Sequence, residues 1–588
     1  MTYRAPVADI AFTLKHGPGL APTLAQGGSL GESDVDAVLE EAGKFANEAI
    51  APLNTVGDRF GTPFKDGSVT TPPGWKETYQ AWSAAGWNAV SLPEAFGGQA
   101  LPHALNAACI EMWNSASMAF GIGPVLTMGA AEALAAHGSE ELKHIYLSKL
   151  VSGEWTGTME LTEPQAGSDV GALRTRAERA PDGTYRITGQ KIFITYGEHD
   201  LTSNIIHFVL ARLPDAPSGT KGISLFLVPK FLVNADGSLG SRNDLRAHSV
   251  EHKLGIHGSP TCTMIYGDGG GAIGYLVGEE NRGLACMFTM MNLARLAVGL
   301  QGVAIAERAT QQAVAYASER RQGRAPGAAS GSSAIIEHPD VRRMLLTMRA
   351  LTRAARCICY ATAGAIDASH GTRDGAKAAE ARAALLTPVA KAFSTDIGIE
   401  VASLGVQVHG GMGFIEETGA AQHLRDARIA AIYEGTNGIQ AIDLATRKVP
   451  LAGGTVVRAY IRELRQSVKA VQAANDPAFG ATGARLAEAI DSLERTTEWL
   501  LSKSGHDAKA VLAGATPYLR LFGNVAGGCM LADEALTALR IGAVGPAARI
   551  ALARFFAENI AVQAAGLERA VTEGADIVNL ADAAAIGA

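Results

Sequence analysis

The chain has 588 residues, more than one hydrophobic core usually organises, so about three to four domains are expected. With 47% hydrophobic and 19% charged residues it reads as globular, which excludes collagen-like, heptad-repeat and extensively disordered classes. A net charge of −7, with both signs mixed along the chain, leaves no electrostatic footprint for a polyanion, so nucleic acid is not expected as a partner.

The opening "MTYRAPVADIAF" lacks a basic segment followed by an apolar one, and no run reaches about 18 uninterrupted apolar residues. The expectation is a cytoplasmic protein without an integral membrane segment. Residues 1–155 read mostly as helix broken by turn chemistry. In "GESDVDAVLEEAGKFANEAIAPL" Ser33 or Asp34 is the expected N-cap and Pro52 the stop. The Pro- and Gly-rich "SLPEAFGGQALPHA" is a loop, after which helices resume.

Between 156 and 278 the period changes. "RTRAERAPDGTYRITGQKIFITYGE" sets a Pro-Asp-Gly turn between two strand-like runs, and "NIIHFVLARL" and "GISLFLVPKFLV" are short and β-branched. This is a β domain. "VNADGSLGSRNDLRAHS" reads as a surface connection. From 279 to 448 the period returns to that of long helices, interrupted by "APGAASGSS" at 325–333, expected as a mobile loop. "VPLAGG" at 449–454 reads as a linker into a last helical, alanine-rich region, 449–588, with 13 Lys and Arg against 14 Asp and Glu.

The six cysteines show no CxxC pair and no Cys/His ligand spacing, so they are expected as small buried hydrophobes, and no metal is expected. No Rossmann or Walker glycine pattern stands in a strand-turn-helix context; "GDGGGAIG" has no helix following in register. "MELTEPQAGSDVGALRT" at 159–175 brings hydroxyls, glycine-freed backbone amides and acids to the entry of the β domain. Such donors suit an electron-rich ring oxygen or a phosphate, and equally an ordinary capped turn.

Taken together and in order, "LTEPQAGSDV", "GQKIFIT", "ASERRQGR", "GVQVHGGMGF" and "RDARIAAIYEGTNGIQ" resemble the motif series of the acyl-CoA dehydrogenase family over residues 1–448. "VEHKLGIHGSPTC", the 325–333 insertion and the C-terminal region resemble its subgroup of longer chains. The resemblance implies an α+β multidomain fold: an N-terminal helical domain, a middle β-barrel-like domain, a C-terminal helical bundle, and here an additional helical region. It implies FAD as cofactor, an acyl-CoA substrate, electron-transfer flavoprotein as acceptor, and a homodimer whose partner subunit completes the site. 3-(Methylthio)propanoyl-CoA is the substrate that the subgroup favours, with medium- or long-chain fatty acyl-CoA as the alternative.

By motif position, Met159, Leu161, Thr162 and Ser168 are implied along the flavin, with Phe193 and Thr195 covering another side of its ring. Arg320 would reach a partner's FAD pyrophosphate; Gln407, Gly410 and Gly411 would contact the adenosine half, and Thr436 and Asn437 the flavin. "MNLAR" points to Asn292 and Arg295 for the acyl-CoA, beside Ser168 and Gly435. Met287, Met290 and Met291 are either core packing or an adaptable acyl-pocket wall. Glu434, alone a carboxylate in a turn, becomes the implied base for the α-proton. The sequence departs from the family at "EHPD": Pro339, with neither N–H nor amide, stands where many members carry Gln, although His338 remains. Two other readings stay open, a DNA-binding flavoprotein of the same fold, disfavoured by the charge balance of 449–588, and an acyl-CoA oxidase.

Overall fold

The computed structural model describes residues 3–24, 30–328, 330–370 and 375–587. Its N-terminal part is built on helices α1 (Val7–His16), α2 (Glu32–Phe45), α3 (His103–Ala116) and α4 (Met118–His137). The last two are buried almost all round: α4 is apolar on nearly every face, while α3 buries Glu111 against Arg356 and Tyr360. The N-cap of α2 is Gly31, not Ser33 or Asp34. Asp34 sits at the third helical position, where its carboxylate accepts the Gly31 N–H at 2.8 Å, so the acid caps backwards.

A barrel follows. Its strands are β1 (Thr156–Glu160), β2 (Arg176–Arg179), β3 (Tyr185–Thr195), β4 (Ile205–Arg212), β5 (Ile223–Pro229), β6 (Phe231–Val233), β7 (Leu239–Arg242), β8 (Leu245–Val250), β9 (Thr261–Tyr266) and β10 (Ala272–Val277). Strands β3, β10, β5, β4 and β2 close a ring, since β2 pairs with both β3 and β4. Strand β1 adds in parallel to β4, and β9 and β8 extend the sheet from β3. The 233–249 stretch is not a bare surface connection. Asn234 to Ser238 turns the β6–β7 hairpin, and β8 follows it; short strands of mixed polarity hide from a reading of hydrophobic alternation. The glycines of "GDGGGAIG" turn the chain from β9 to β10, with Gly270 and Gly271 at positive φ.

Helices α5 (Gly283–Glu319), α6 (Pro339–Ser369) and α7 (Ala376–His409) form the second helical layer. Pro339 is the first residue of α6, where a missing N–H costs no helical hydrogen bond. Helices α5 and α7 cross with backbones in contact: a Cβ on Gly302 would lie 2.2 Å from the Ser394 carbonyl oxygen, and one on Gly299 2.5 Å from that of Ala390. The 325–333 insertion is closed at its base by the Arg321–Ala334 bridge, and residue 329 lies outside the described residues.

A left-handed turn at Ala452, Gly453 and Gly454 leads to α8 (Thr455–Ala474), α9 (Thr482–Lys503), α10 (Ala508–Arg540) and α11 (Pro546–Asn559). Partly buried ion pairs tie this region to the start of the chain. Asp9 on α1 takes Arg349 at 2.7 Å, Arg353 at 3.3 Å and Arg549 at 3.0 Å, while Arg353 also reaches Glu534 at 3.0 Å. Three stretches, 118–137, 283–319 and 546–572, have the length and apolar character of a membrane span; the first two bury most of that character inside the fold. All six cysteines are buried and unpaired.

Candidate active site

A sharp turn places the central carboxylate. The chain leaves a short helix at Ala431 and re-enters one at Asn437, capped by the Thr436 hydroxyl, which accepts the Ile439 N–H at 3.2 Å. Between them Glu434 adopts φ +56° and Gly435 φ +79°. Left-handed backbone costs a non-glycine residue roughly 1–2 kcal/mol, so the surroundings must hold Glu434 there. Gln440 donates its amide to the Glu434 carbonyl at 3.0 Å, and a Cβ on residue 435 would sit 2.8 Å from that same nitrogen, which keeps the position glycine.

Glu434 is partly buried. Burial pushes its carboxyl up to about 7, opposed by the charges of Arg295 and Lys391. Arg295, on the early turns of α5, donates to Asn292 Oδ1 at 3.4 Å and lies over the Phe288 ring at 5.8 Å. Its buried Nε has no partner among the described residues, and burial shifts the group downward. Tyr433 donates its hydroxyl to Gln301, which donates to Asn114 at 3.2 Å.

The loop after β1 carries the second group of expected residues. Buried Glu163 anchors it, accepting from Lys191 Nζ at 2.8 Å, Thr175 Oγ1 at 2.6 Å and the Arg174 N–H at 2.6 Å. Lys191 also donates to the Leu161 carbonyl at 3.1 Å, and the Ile192 N–H to that of Thr162 at 2.9 Å. These bonds fix Leu161 and Thr162 against β3. Met159 and Leu161 pack on the same apolar cluster as Met287, Met290 and Met291, so the methionines join the barrel to the helices. The hydroxyls of Thr162, Ser168 and Thr195 make no hydrogen bond to the described residues. Phe193, at φ +60°, leaves 59% of its surface exposed.

Not every expected residue comes to this place. Arg320 lies 25 residues along α5 from Arg295, about 37 Å at helical rise, and Gln407 lies about 24 Å along α7 from Lys391. Arg320, Gln407, Gly410 and Gly411 are exposed together at the far end, where Tyr316 stacks on His409 at 4.4 Å. His338 is there too, its ring nitrogen 2.8 Å from the Gln322 carbonyl. The amide of Asn437 bonds Lys391, Asp396 and Thr395 at 2.7–2.9 Å, so its side chain faces α7. Lys391, Asp396 and Gln440 went unnoticed in the sequence. The available signal was one lysine inside the apolar run "LLTPVAKAFS".

Compared with known proteins, residues 32–154, 158–268 and 281–449 match the acyl-CoA dehydrogenase N-terminal, middle and C-terminal domains, and 460–581 matches an acetyl-CoA dehydrogenase C-terminal-like domain. The 3-methylmercaptopropionyl-CoA dehydrogenase of Ruegeria pomeroyi is 47% identical over 586 residues, spanning 98% of this chain and 99% of that protein. The chain belongs to the acyl-CoA dehydrogenase family. A butyryl-CoA dehydrogenase of Syntrophomonas wolfei is 34% identical over 95% of each chain. The crystal structure of Caenorhabditis elegans ACDH-11 in complex with C11-CoA superposes with a TM-score of 0.79 over 99% of this chain and 96% of its own, at 19% identity, which speaks for the fold. This acyl-CoA dehydrogenase is thus an oxidoreductase with FAD as its cofactor. The free hydroxyls of Thr162, Ser168 and Thr195 and the exposed Phe193 ring fit a flat, acceptor-rich ring system. Among the described residues no group of three or more His, Cys, Asp or Glu could hold a metal ion.

Proposed function

We propose that Glu434 is the base that removes the α-proton of an acyl-CoA thioester, and that 3-(methylthio)propanoyl-CoA is the substrate. The observation carrying the first part is the Glu434 turn: a carboxyl raised to about 7 by burial and held on a left-handed backbone between two cations. A base is most effective when its proton affinity matches the working pH, and an apolar surround is how a carboxylate gets there. The 47% identity over nearly the whole chain supports the second.

When bound, FAD supplies a flat acceptor for the hydride that leaves the β-carbon. Thr162, Ser168, Phe193 and Thr195 would hold its ring. On the other face Glu434 takes the α-proton onto a carboxylate oxygen, and the Gly435 N–H is the donor for the thioester oxygen as negative charge develops there. Arg295 and Asn292 orient the acyl-CoA, and the methionine cluster excludes water from below. The far-end group of Arg320, Gln407, Gly410 and Gly411 serves the FAD of a second copy, since one dinucleotide does not span the length of α5. A homodimer follows from that reading, and family membership supports electron-transfer flavoprotein as the acceptor.

Glu434→Gln is expected to retain FAD and lose turnover by three orders of magnitude or more. Substantial residual turnover refutes the base. An anaerobic panel of acyl-CoAs followed by flavin bleaching tests the substrate; faster bleaching by medium- or long-chain acyl-CoAs than by 3-(methylthio)propanoyl-CoA refutes it.

A further inference from the structure

Lys391 is completely buried on α7, three residues after Pro388. Burial pulls this lysine down to about 7, against the charges of Glu434 and Asp396, so it carries its charge in the range where Glu434 titrates and the two act as a pair. Its ammonium donates to the Gly435 carbonyl and to Asn437 Oδ1, both at 2.8 Å. Asn437 in turn donates to Asp396 Oδ1 at 2.7 Å, Thr395 Oγ1 at 2.9 Å and the Ala392 carbonyl at 3.2 Å. The turn that follows Glu434 is therefore tied to one stretch of α7 by a network centred on a single cation.

The charged and titratable groups facing Glu434 are few. They are Arg295 from α5, Lys391 from α7 and the Tyr433 phenol beside it; Asp396 acts on Lys391, and Asp443 and Arg447, after the turn, act on Arg295. Asp396 is itself faced by Arg520 and Glu400. Only Arg295 and Lys391 favour the ionised form of Glu434, and only Lys391 also bonds the turn's backbone.

We propose that Lys391 is a positioning residue for Glu434: its ammonium clamps the Gly435–Asn437 turn that forces the left-handed backbone, and its charge stabilises the carboxylate form of the base. The inference rests on the reading of Glu434 as the base. A purely architectural lysine would hold the turn without setting the pH at which turnover rises.

The test uses the FAD-loaded enzyme with 3-(methylthio)propanoyl-CoA, comparing wild type with Lys391→Met, Lys391→Gln and Lys391→Arg, flavin content serving as the measure of folding. Removing the cation takes away a downward pull on Glu434, so the acid limb of kcat against pH moves upward in the Met and Gln variants. A neighbouring charge of this kind is worth about one pH unit, or roughly tenfold in kcat on that limb. Lys391→Arg keeps the wild-type limb. If Lys391→Met does not hold flavin, Lys391→Gln reads the same limb. Limbs of both neutral variants superposing on wild type, or an Arg variant shifted as far as they are, overturn the proposal. Glu434→Gln run alongside separates the two claims: an inactive Glu434→Gln with unmoved Lys391 limbs overturns only the lysine, whereas an active one overturns the base and the lysine with it.

Discussion

Gly302→Ala tests whether the α5–α7 crossing sets the catalytic geometry. The new Cβ would stand 2.2 Å from the Ser394 carbonyl oxygen, where ordinary contact begins at 3.4 Å, so the two backbones must part by about 1.2 Å. Neither partner is a flexible side-chain end, and overpacking of this kind costs about 1–3 kcal/mol. The functional consequence is larger. Arg295 lies two turns before Gly302 on α5 and Lys391 one turn before Ser394 on α7, so the separation falls between the two cations that flank Glu434. Misplacement by about 1 Å costs on the order of a hundredfold in rate. The assay is kcat per bound flavin together with thermal unfolding, and Gly566→Ala is the control, because a Cβ there meets nothing within 4 Å. A Gly302→Ala enzyme with kcat within twofold of wild type and an unchanged melting curve refutes the reasoning.

Two further outcomes are expected. Burial acts upward on Glu163, but the Lys191 charge and the bonds from Lys191, Thr175 and Arg174 outweigh it and hold the carboxyl down at about 2. A carboxyl lower in the folded than in the unfolded state stabilises above about pH 4.3 and loses that contribution as pH falls towards 2. Acid unfolding followed by barrel-sensitive fluorescence should therefore steepen across that window, and Glu163→Gln should flatten it; an identical acid profile rejects the assignment. Arg320→Ala should weaken FAD retention about tenfold or more, as expected for losing a charged hydrogen bond. Mixed with Glu434→Gln subunits it should regain activity, because one site of each hybrid dimer then has both groups intact; mixtures as inactive as their parents place Arg320 in its own subunit's site or outside any.

The large divisions of the fold were legible because each depends on local period: 3.6 for the helices, 2 for the strands, and Pro-Asp-Gly for the β2–β3 turn. Glu434 was legible only through its neighbours in the motif series. Its left-handed backbone and raised carboxyl are products of packing against α5 and α7, which no spacing along the chain reveals. The same holds for Asn437. Its position beside the base suggested the cofactor, and nothing along the chain told of the buried ammonium 46 residues earlier that bonds its carbonyl oxygen. The Gly31 cap escaped because Asp34 carries the capping oxygen, so the helix starts before the residue that caps it. The β6–β7 hairpin escaped because its short strands fully bury none of their residues and β7, Leu239–Arg242, has no apolar alternation to read.

The ion pairs around Asp9 bear on how the chain is made as well as on how it is held. Asp9 is made 340 residues before Arg349 and 540 before Arg549. At roughly 5–20 residues per second Arg349 and Arg353 follow after about 17–69 s and Arg549 only after about 27–108 s, so over the last stretch of synthesis the acid has two of its three arginines. Completion of the Asp9 cluster is thus a closing event in biosynthesis, so a nascent chain arrested before α11 should hold Asp9 through the arginines of α6 alone and yield α1 to proteases faster than the finished chain does, even though the barrel and the glutamate turn are already made.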